Sequence, residues 1–242
     1  DIAMHEGYPC VHYASRDGWL PSRVHAVLQE KLGGPEGIYF HAGRRAYFPF
    51  LADSFIEYAR TRKLSADLDS YTLEDLLRGH FSSEADQLLA LLTKEELDIP
   101  FCKQQQRCLG ILERISGPLT NLMEARRERA RRYYASVFPS GANRFLVFDM
   151  GYSGSISTAL STIAGTPFDK LYCWQNEANQ AADAQYGTKT FLLMQKEDYV
   201  PYHFILEEMF SPCSGGVVDF DEQGHPCHEI FSYIFCLYNC SL

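Results

Sequence analysis

Short apolar runs alternate along the chain with longer stretches whose apolar positions recur at helical spacing. Pro9 to Ala14 is strand-like and leads straight into Ser15-Arg16-Asp17-Gly18. Pro21 then opens a helix, because its fixed φ suits a first helical turn. Val24, Val27, Leu28 and Leu32 form the apolar stripe of that helix, which ends at Gly33-Gly34. Gly37 to Ala42 predicts a second strand running into Gly43-Arg44-Arg45. From about Ala52 to Pro139 the pattern turns helical. Asp53 to Arg62 is amphipathic, Thr72 to Asp75 is a capping box, and Ser83 to Leu92 has a continuous apolar face. Gln104 to Tyr134 predicts one or two long helices interrupted near Gly117-Pro118.

Phe145 to Phe148 is a strand-length apolar run that ends in Asp149. A small-residue loop with Gly151 and Gly154 follows, and then a helix marked by Ile156, Ala159, Leu160 and Ile163. Lys170 to Trp174 and Thr190 to Met194 predict two more strands. Tyr202 to Phe210 predicts a short helix carrying Glu207 and Glu208. Ser214 to Gly216 is a turn, Val217 to Phe220 an edge strand, and Ile230 to Leu242 a terminal helix. Strands that alternate with helices predict an α/β fold with a parallel, Rossmann-like sheet. Residues 1–50 and 140–242 would form this core, with 51–139 inserted as a helical cap or hood.

Strand, small-residue loop and helix is a geometry that aims backbone N–H groups and a helix N-terminus at an anion, usually a phosphate. Glycine permits close backbone approach, while Ser153, Ser155 and Ser157 add hydroxyl donors. The same stretch also reads as a plain strand–helix turn with an N-cap serine. A second loop, Ser15 to Gly18, has the same position after a strand and before a helix. Ligands bind at the carboxyl ends of strands in open parallel sheets.

A formal net charge of -9 over 242 residues argues against a nucleic-acid binder, which needs a basic surface. The eight cysteines are scattered, and no signal peptide stands at the start, so reduced thiols in a cytoplasmic protein are expected. Cys236 and Cys240, one helical turn apart, and Cys102 and Cys108 lack companion pairs at zinc-site spacing and read as packing thiols. No apolar run is long enough to cross a bilayer. The opening Asp1 reads as the start of an excised piece. Arg126, Arg127, Arg129, Arg131 and Arg132 crowd one helix, either as a solvated face or as a site for an anionic substrate or partner. Asp219-Phe-Asp221 looks like the aspartate pair of a haloacid-dehalogenase phosphatase. It lacks the required downstream lysine, and after Glu222 only Glu229 supplies a carboxylate.

The stretch Asp149-Met-Gly-Tyr-Ser-Gly-Ser-Ile resembles the phosphoribosyl-pyrophosphate (PRPP) signature of type I phosphoribosyltransferases. Asp149 falls on the second acidic position and Phe148 on the first. Ser15 to Gly18 is similar to that family's pyrophosphate loop, and Arg44 and Arg45 fall where it has basic residues. A closer resemblance joins these motifs with Gly43-Arg44-Arg45-Ala46 and Leu206 to Pro212. It is to a domain found beside haloacid-dehalogenase phosphatases and glycosyltransferases in bacterial capsule and O-antigen proteins. The family departs from this chain at Phe148, where an acidic residue would hold ribose hydroxyls, and at Gly43, where it tends to have serine.

The resemblance implies a glycosyltransferase that moves 5-phosphoribofuranosyl from PRPP to a glycan hydroxyl with release of pyrophosphate. A partner phosphatase would later remove the 5-phosphate. It implies the 5-phosphate on Gly151, Tyr152, Ser153, Gly154, Ser155, Ile156 and Ser157. Pyrophosphate would lie on Ser15, Arg16, Gly18, Arg44 and Arg45, with Mg²⁺. Asp149 would hold ribose hydroxyls, and Asp17 would be a metal ligand or the general base. The setting would be cytoplasmic or peripheral at the inner face of the membrane. Two other readings stay open: a non-catalytic phosphosugar- or nucleotide-binding module, and an actin-like ATPase fragment, because Asp149-Met-Gly also resembles that fold's first phosphate loop.

Overall fold

Apolar runs flanked by glycine and proline become the strands of one sheet. The computed structural model describes residues 1–61, 70–139, 141–151, 154–175, 180–212 and 215–229. The chain begins with α1 (Ile2–Glu6), β1 (Cys10–Ala14), α2 (Trp19–Leu32), β2 (Glu36–Phe40) and α3 (Arg44–Tyr47). A helical section follows with α4 (Phe55–Thr61), α5 (Leu73–Phe81), α6 (Ala85–Leu89), α7 (Lys94–Leu97), α8 (Gln105–Arg114) and α9 (Ser116–Val137). The chain then returns through β3 (Phe145–Asp149), α10 (Ser155–Ala164), β4 (Phe168–Tyr172), α11 (Gln180–Tyr186) and β5 (Thr190–Leu192). Next come α12 (Lys196–Tyr199), α13 (His203–Phe210), β6 (Val217–Phe220) and β7 (Pro226–His228).

The fold is α/β. Its five-stranded sheet has the order β2-β1-β3-β4-β5, and every neighbouring pair is parallel. The order reverses between β1 and β3, so the loops that leave these strands part and open a crevice at their carboxyl ends. One sheet face packs Ala14, Phe145, Val147 and Phe168 against Ile156 and Leu160 of α10. The other face carries Val11, Tyr13, Leu146 and Phe148, with Tyr199 against them. Leu119, Leu122 and Met123 of α9 belong to the helical section's own core, whereas Ala130 and Tyr133 pack with the sheet. This one helix therefore joins the two parts. Among the described residues no helix is long and apolar enough to cross a membrane.

Several sequence expectations change. The stripe of α2 does not enter the core: Val24, Val27, Leu28 and Leu32 are 49–79% exposed. His25 ties the helix to the Tyr13 hydroxyl at 2.7 Å, and beside this contact an open apolar cleft has Val11, Tyr13 and Phe148 on its floor. The long-helix break falls at Ile115, while Gly117 and Pro118 lie in the first turn of α9, where a missing N–H breaks no helical bond. The 83–92 segment divides into a 3₁₀ turn, Ser82–Glu84, and α6. Val217–Phe220 is not an edge of the main sheet. It pairs antiparallel with β7 in a separate hairpin. The predicted helix at 230–242, with Cys236 and Cys240, lies outside the described residues.

The arginine run divides: Arg131 and Arg132 stay on the exposed face, whereas Arg126 and Arg129 turn inward. Arg126 and Arg129 are buried and hold Glu84 and Asp219 between them. Arg127 donates to the carbonyls of Pro49, Ala52 and Asp53. Arg132 donates to the Glu222 carbonyl, and Arg131 lies over the Phe50 ring.

Candidate functional site

Three loops leave the carboxyl ends of the adjacent strands β2, β1 and β3 and meet around one cleft of about 300 Å³. Ser15, Arg16 and Asp17 follow β1, Arg44 and Arg45 follow β2, and Asp149 and Gly151 stand at and just beyond the end of β3. Ser155 and Ile156 of the first turn of α10 line it too. The β6–β7 hairpin closes the remaining side with Gly216, Val217, Val218 and Glu229.

Local bonding explains each position. The Ser15 hydroxyl donates to the Ala42 carbonyl and accepts from its N–H, both at 2.9 Å, so the ends of β1 and β2 are tied together. The Ser15–Arg16 peptide is cis. Gly151 N–H donates to Asp149 Oδ1 at 3.0 Å and holds that carboxylate under the loop. Gly154 is the residue before α10 with φ 72°, a left-handed conformation that glycine adopts freely.

Not every predicted residue reaches the cleft. Gly18 stays out, because its N–H donates to the Ala14 carbonyl and a Cβ there would lie 2.6 Å from that oxygen. Its small size serves the turn against β1. Ser157 also stays out: it lies beneath α10, buried, with its hydroxyl 2.8 Å from the Tyr172 hydroxyl. Gly154 does not line the cleft but faces Lys170. Tyr152 and Ser153 lie outside the described residues. Phe148, at the position where the resembled family has an acid, is buried against Tyr13 with ring centroids 5.4 Å apart.

The electrostatics concentrate on the carboxylates. Burial pushes the Asp17 carboxyl up to about 7, with Asp149 and then Glu207 adding to the rise and Arg16 opposing it. Asp149 is also raised, first by burial, against the Gly151 N–H and the Arg44 guanidinium. Ser211 donates to Asp17 Oδ1 at a long 3.4 Å. A carboxyl near neutral pKa beside a second carboxylate and flexible cations can exchange a proton at physiological pH.

Sequence reasoning gave three residues too little weight. Glu207 projects from α13 into the cleft. Glu229 pairs with Arg45 at the rim. Lys170 is buried in β4 and paired with Asp183, and a Cβ on Gly154 would come 2.7 Å from its ammonium. Burial pulls this lysine below the ordinary range, with Asp183 opposing. A lysine inside a strand of a covered parallel sheet was the available signal, since such strands read as apolar.

The second departure from the resembled family has a steric cause. A Cβ at Gly43 would run into the Val217 carbonyl, because β6 packs directly on this turn. Gly43→Ser is therefore expected to lose about 1–3 kcal/mol of stability by forcing the hairpin away. Urea denaturation measures it, and a serine variant as stable as the parent would remove this explanation.

Neither a scan of protein-family models nor a search of curated proteins finds a match to this chain, so the reading of its site rests on the geometry and the motifs.

Proposed function

We propose that the chain is a phosphoribosyltransferase-type glycosyltransferase that moves 5-phosphoribosyl from PRPP to a glycan hydroxyl. One observation carries the reading. The loops after β1, β2 and β3 bring Arg16, Arg44, Arg45, Asp17 and Asp149 to one cleft where the strand order reverses, beside the first turn of α10.

In this reading the 5-phosphate lies at the start of α10, where N–H groups and the helix dipole favour an anion. Lys170, just behind Gly154, lies at the same end of the helix, with its charge shared with Asp183. Arg16, Arg44 and Arg45 stabilise the charge that develops on the departing pyrophosphate. The bond from the ribose anomeric carbon to pyrophosphate breaks, a bond to the acceptor oxygen forms, and the acceptor proton passes to Asp17. Asp149, oriented by Gly151, holds ribose hydroxyls. A neighbouring phosphatase would remove the 5-phosphate, and the work would take place in the cytoplasm or at the inner face of the membrane.

Magnesium fits this donor set. Mg²⁺ is usually held by one or two carboxylates together with substrate phosphates. Asp149 and Glu207 are the carboxylates of the cleft that would hold the ion while Asp17 takes the proton. Asp17 would be a ligand only in place of that role, since a bound cation draws its carboxyl back down. Among the described residues no larger group of ligating side chains forms a cage for a metal. When bound, the ion would neutralise phosphate charge.

The buried Phe148 favours one alternative, a phosphosugar-binding module without turnover, because no second acid reaches the ribose from that position. Thermal unfolding with PRPP and Mg²⁺, beside ATP, tests the proposal. A ligand at about a hundred times its Kd adds roughly 2.7 kcal/mol to the folded state. The midpoint is expected to rise with PRPP and not in Asp149→Ala or Arg16→Ala. No rise, or a rise with ATP alone, would sink the donor assignment. Binding without release of pyrophosphate to any acceptor would leave the module.

A further inference from the structure

We infer that the acceptor sugar is held in a second cleft on the helical side of Arg45, and that this sugar is neutral; the inference rests on the transferase reading of the donor site. The second cleft measures about 530 Å³ and is lined by Arg45, Ser70, Tyr71, Asp75, Arg78 and Gly79. Arg45 also lines the donor cleft, so the two are neighbours across one guanidinium group. A sugar in the second cleft can present a hydroxyl to the first.

The lining has the chemistry of a carbohydrate site. Sugars offer apolar C–H faces to aromatic rings and hydroxyls to small polar groups. The half-buried Tyr71 ring is fixed because its hydroxyl donates to the Asp75 carbonyl at 3.0 Å. Ser70 adds an exposed hydroxyl. The Asp75 carboxylate accepts from Thr72 N at 2.9 Å and from Thr72 Oγ1 at 2.8 Å, both on Oδ2. Asp75 is exposed in the lining, so its other oxygen can accept from a sugar hydroxyl.

Charge decides the class of sugar. Arg45 is paired with Glu229, and Arg78 is paired with both Glu74 and Asp86. With these three carboxylates beside the two cations, and Asp75 a further carboxylate in the lining, the cleft has no net positive charge to favour an acidic sugar. The arginines of α9 offer none either, since Arg126, Arg127, Arg129 and Arg132 bond to protein carbonyls and carboxylates.

Gly79 is the second independent feature. It lies inside α5, where glycine is a poor helix former. A Cβ there would come 2.9 Å from the Tyr71 hydroxyl and displace the ring. The glycine keeps the floor of the cleft in place.

Saturation-transfer NMR with neutral methyl hexopyranosides, beside methyl hexuronides, tests the inference on the whole chain. Wild-type protein is expected to transfer saturation to the neutral glycosides and less to the charged ones. Tyr71→Ala should weaken neutral binding about tenfold. Gly79→Ala, which favours the helix and so keeps the fold, should weaken it as well. In both variants the PRPP-induced rise in midpoint should persist. No glycoside binding, a preference for hexuronides, or undiminished binding in both variants would overturn the inference while a PRPP shift leaves the donor reading intact. Glycoside binding lost in the variants, with no PRPP response in wild type, would keep a sugar cleft and remove the transferase reading on which the acceptor role depends.

Discussion

Arg126→Ala is expected to lose about 3–5 kcal/mol of stability, the usual cost of removing one partner from a buried ion pair. The Arg126 side chain is 1% exposed. Its Nε donates to Glu84 Oε2 at 2.7 Å, and Nη1 and Nη2 donate to the His80 and Phe81 carbonyls at 2.7 and 2.9 Å. The guanidinium carbon lies 5.4 Å from the Phe81 ring centroid, so the group is packed as well as paired. Truncation strips these acceptors of their donor and opens a cavity at the junction of α5, α9 and β6. The neighbouring Arg129 still holds Glu84 and Asp219, which limits the damage. Arg126→Met combined with Glu84→Gln should recover part of the loss, because the half-buried Glu84 carboxylate no longer has to be neutralised by a cation. Urea denaturation of the single and double variants measures both effects. A single-variant loss below about 1 kcal/mol would show that the clamp is dispensable. The effect reaches the candidate site, since the same clamp holds the β6 hairpin whose Gly216 and Val217 wall the cleft at the strand ends.

Asp17→Asn is expected to separate stability from activity. In the folded chain the Asp17 carboxyl is raised from 3.8 to about 7, chiefly by burial and then by Asp149 and Glu207. The folded state therefore binds this proton more tightly than the unfolded state. Stability from this group is complete below about pH 4, falls as pH rises, and is lost above about pH 7. The asparagine variant should lose that slope and be more stable than wild type above pH 7, by on the order of 4 kcal/mol. Chemical denaturation across pH, in the presence of a chelator, measures the difference. Transfer should fall by about 10²–10⁴-fold if Asp17 takes the acceptor proton. A variant with the wild-type pH slope would mean that Asp17 is not strained by its neighbours. Such a stabilising loss of function is the trade expected where like charges are held together for chemistry.

The local elements around the cleft were legible in the sequence because each rests on a short-range rule. The Thr72 capping box forms with Asp75 as its spacing predicts. The strand at Phe145 and the helix from Ser155 follow from two apolar periods separated by glycine. The loops at Ser15 and Asp149 could be singled out because small and polar residues follow each strand. Their meeting was not local. It depends on β1 lying between β2 and β3, an order that no single segment encodes.

Charge was the least legible property. Five arginines on one helix look alike in a sequence, yet Arg126 is buried and Arg132 is exposed. Only the position of Glu84 and Asp219, 42 and 90 residues from their partners Arg126 and Arg129, decides which is which. Glu207 and Glu229 gained their places at the cleft in the same way, from segments well after the Asp149 loop. The α2 stripe shows the opposite limit: its periodicity makes the helix, yet the stripe stays out of the core.

By itself, then, the sequence determined the α/β class, the strand–loop–helix units and the small and polar residues that follow the strands. These depend on backbone propensity and on periods of two and 3.6 residues, which neighbours along the chain impose on each other. Tertiary structure alone decided which of those residues share a cleft, raised Asp17 toward neutrality, withdrew Gly18 and Ser157, and set Tyr71 beside Arg45. Desolvation and Coulomb interactions act through space, so they wait on strand order and packing rather than on adjacency in the chain.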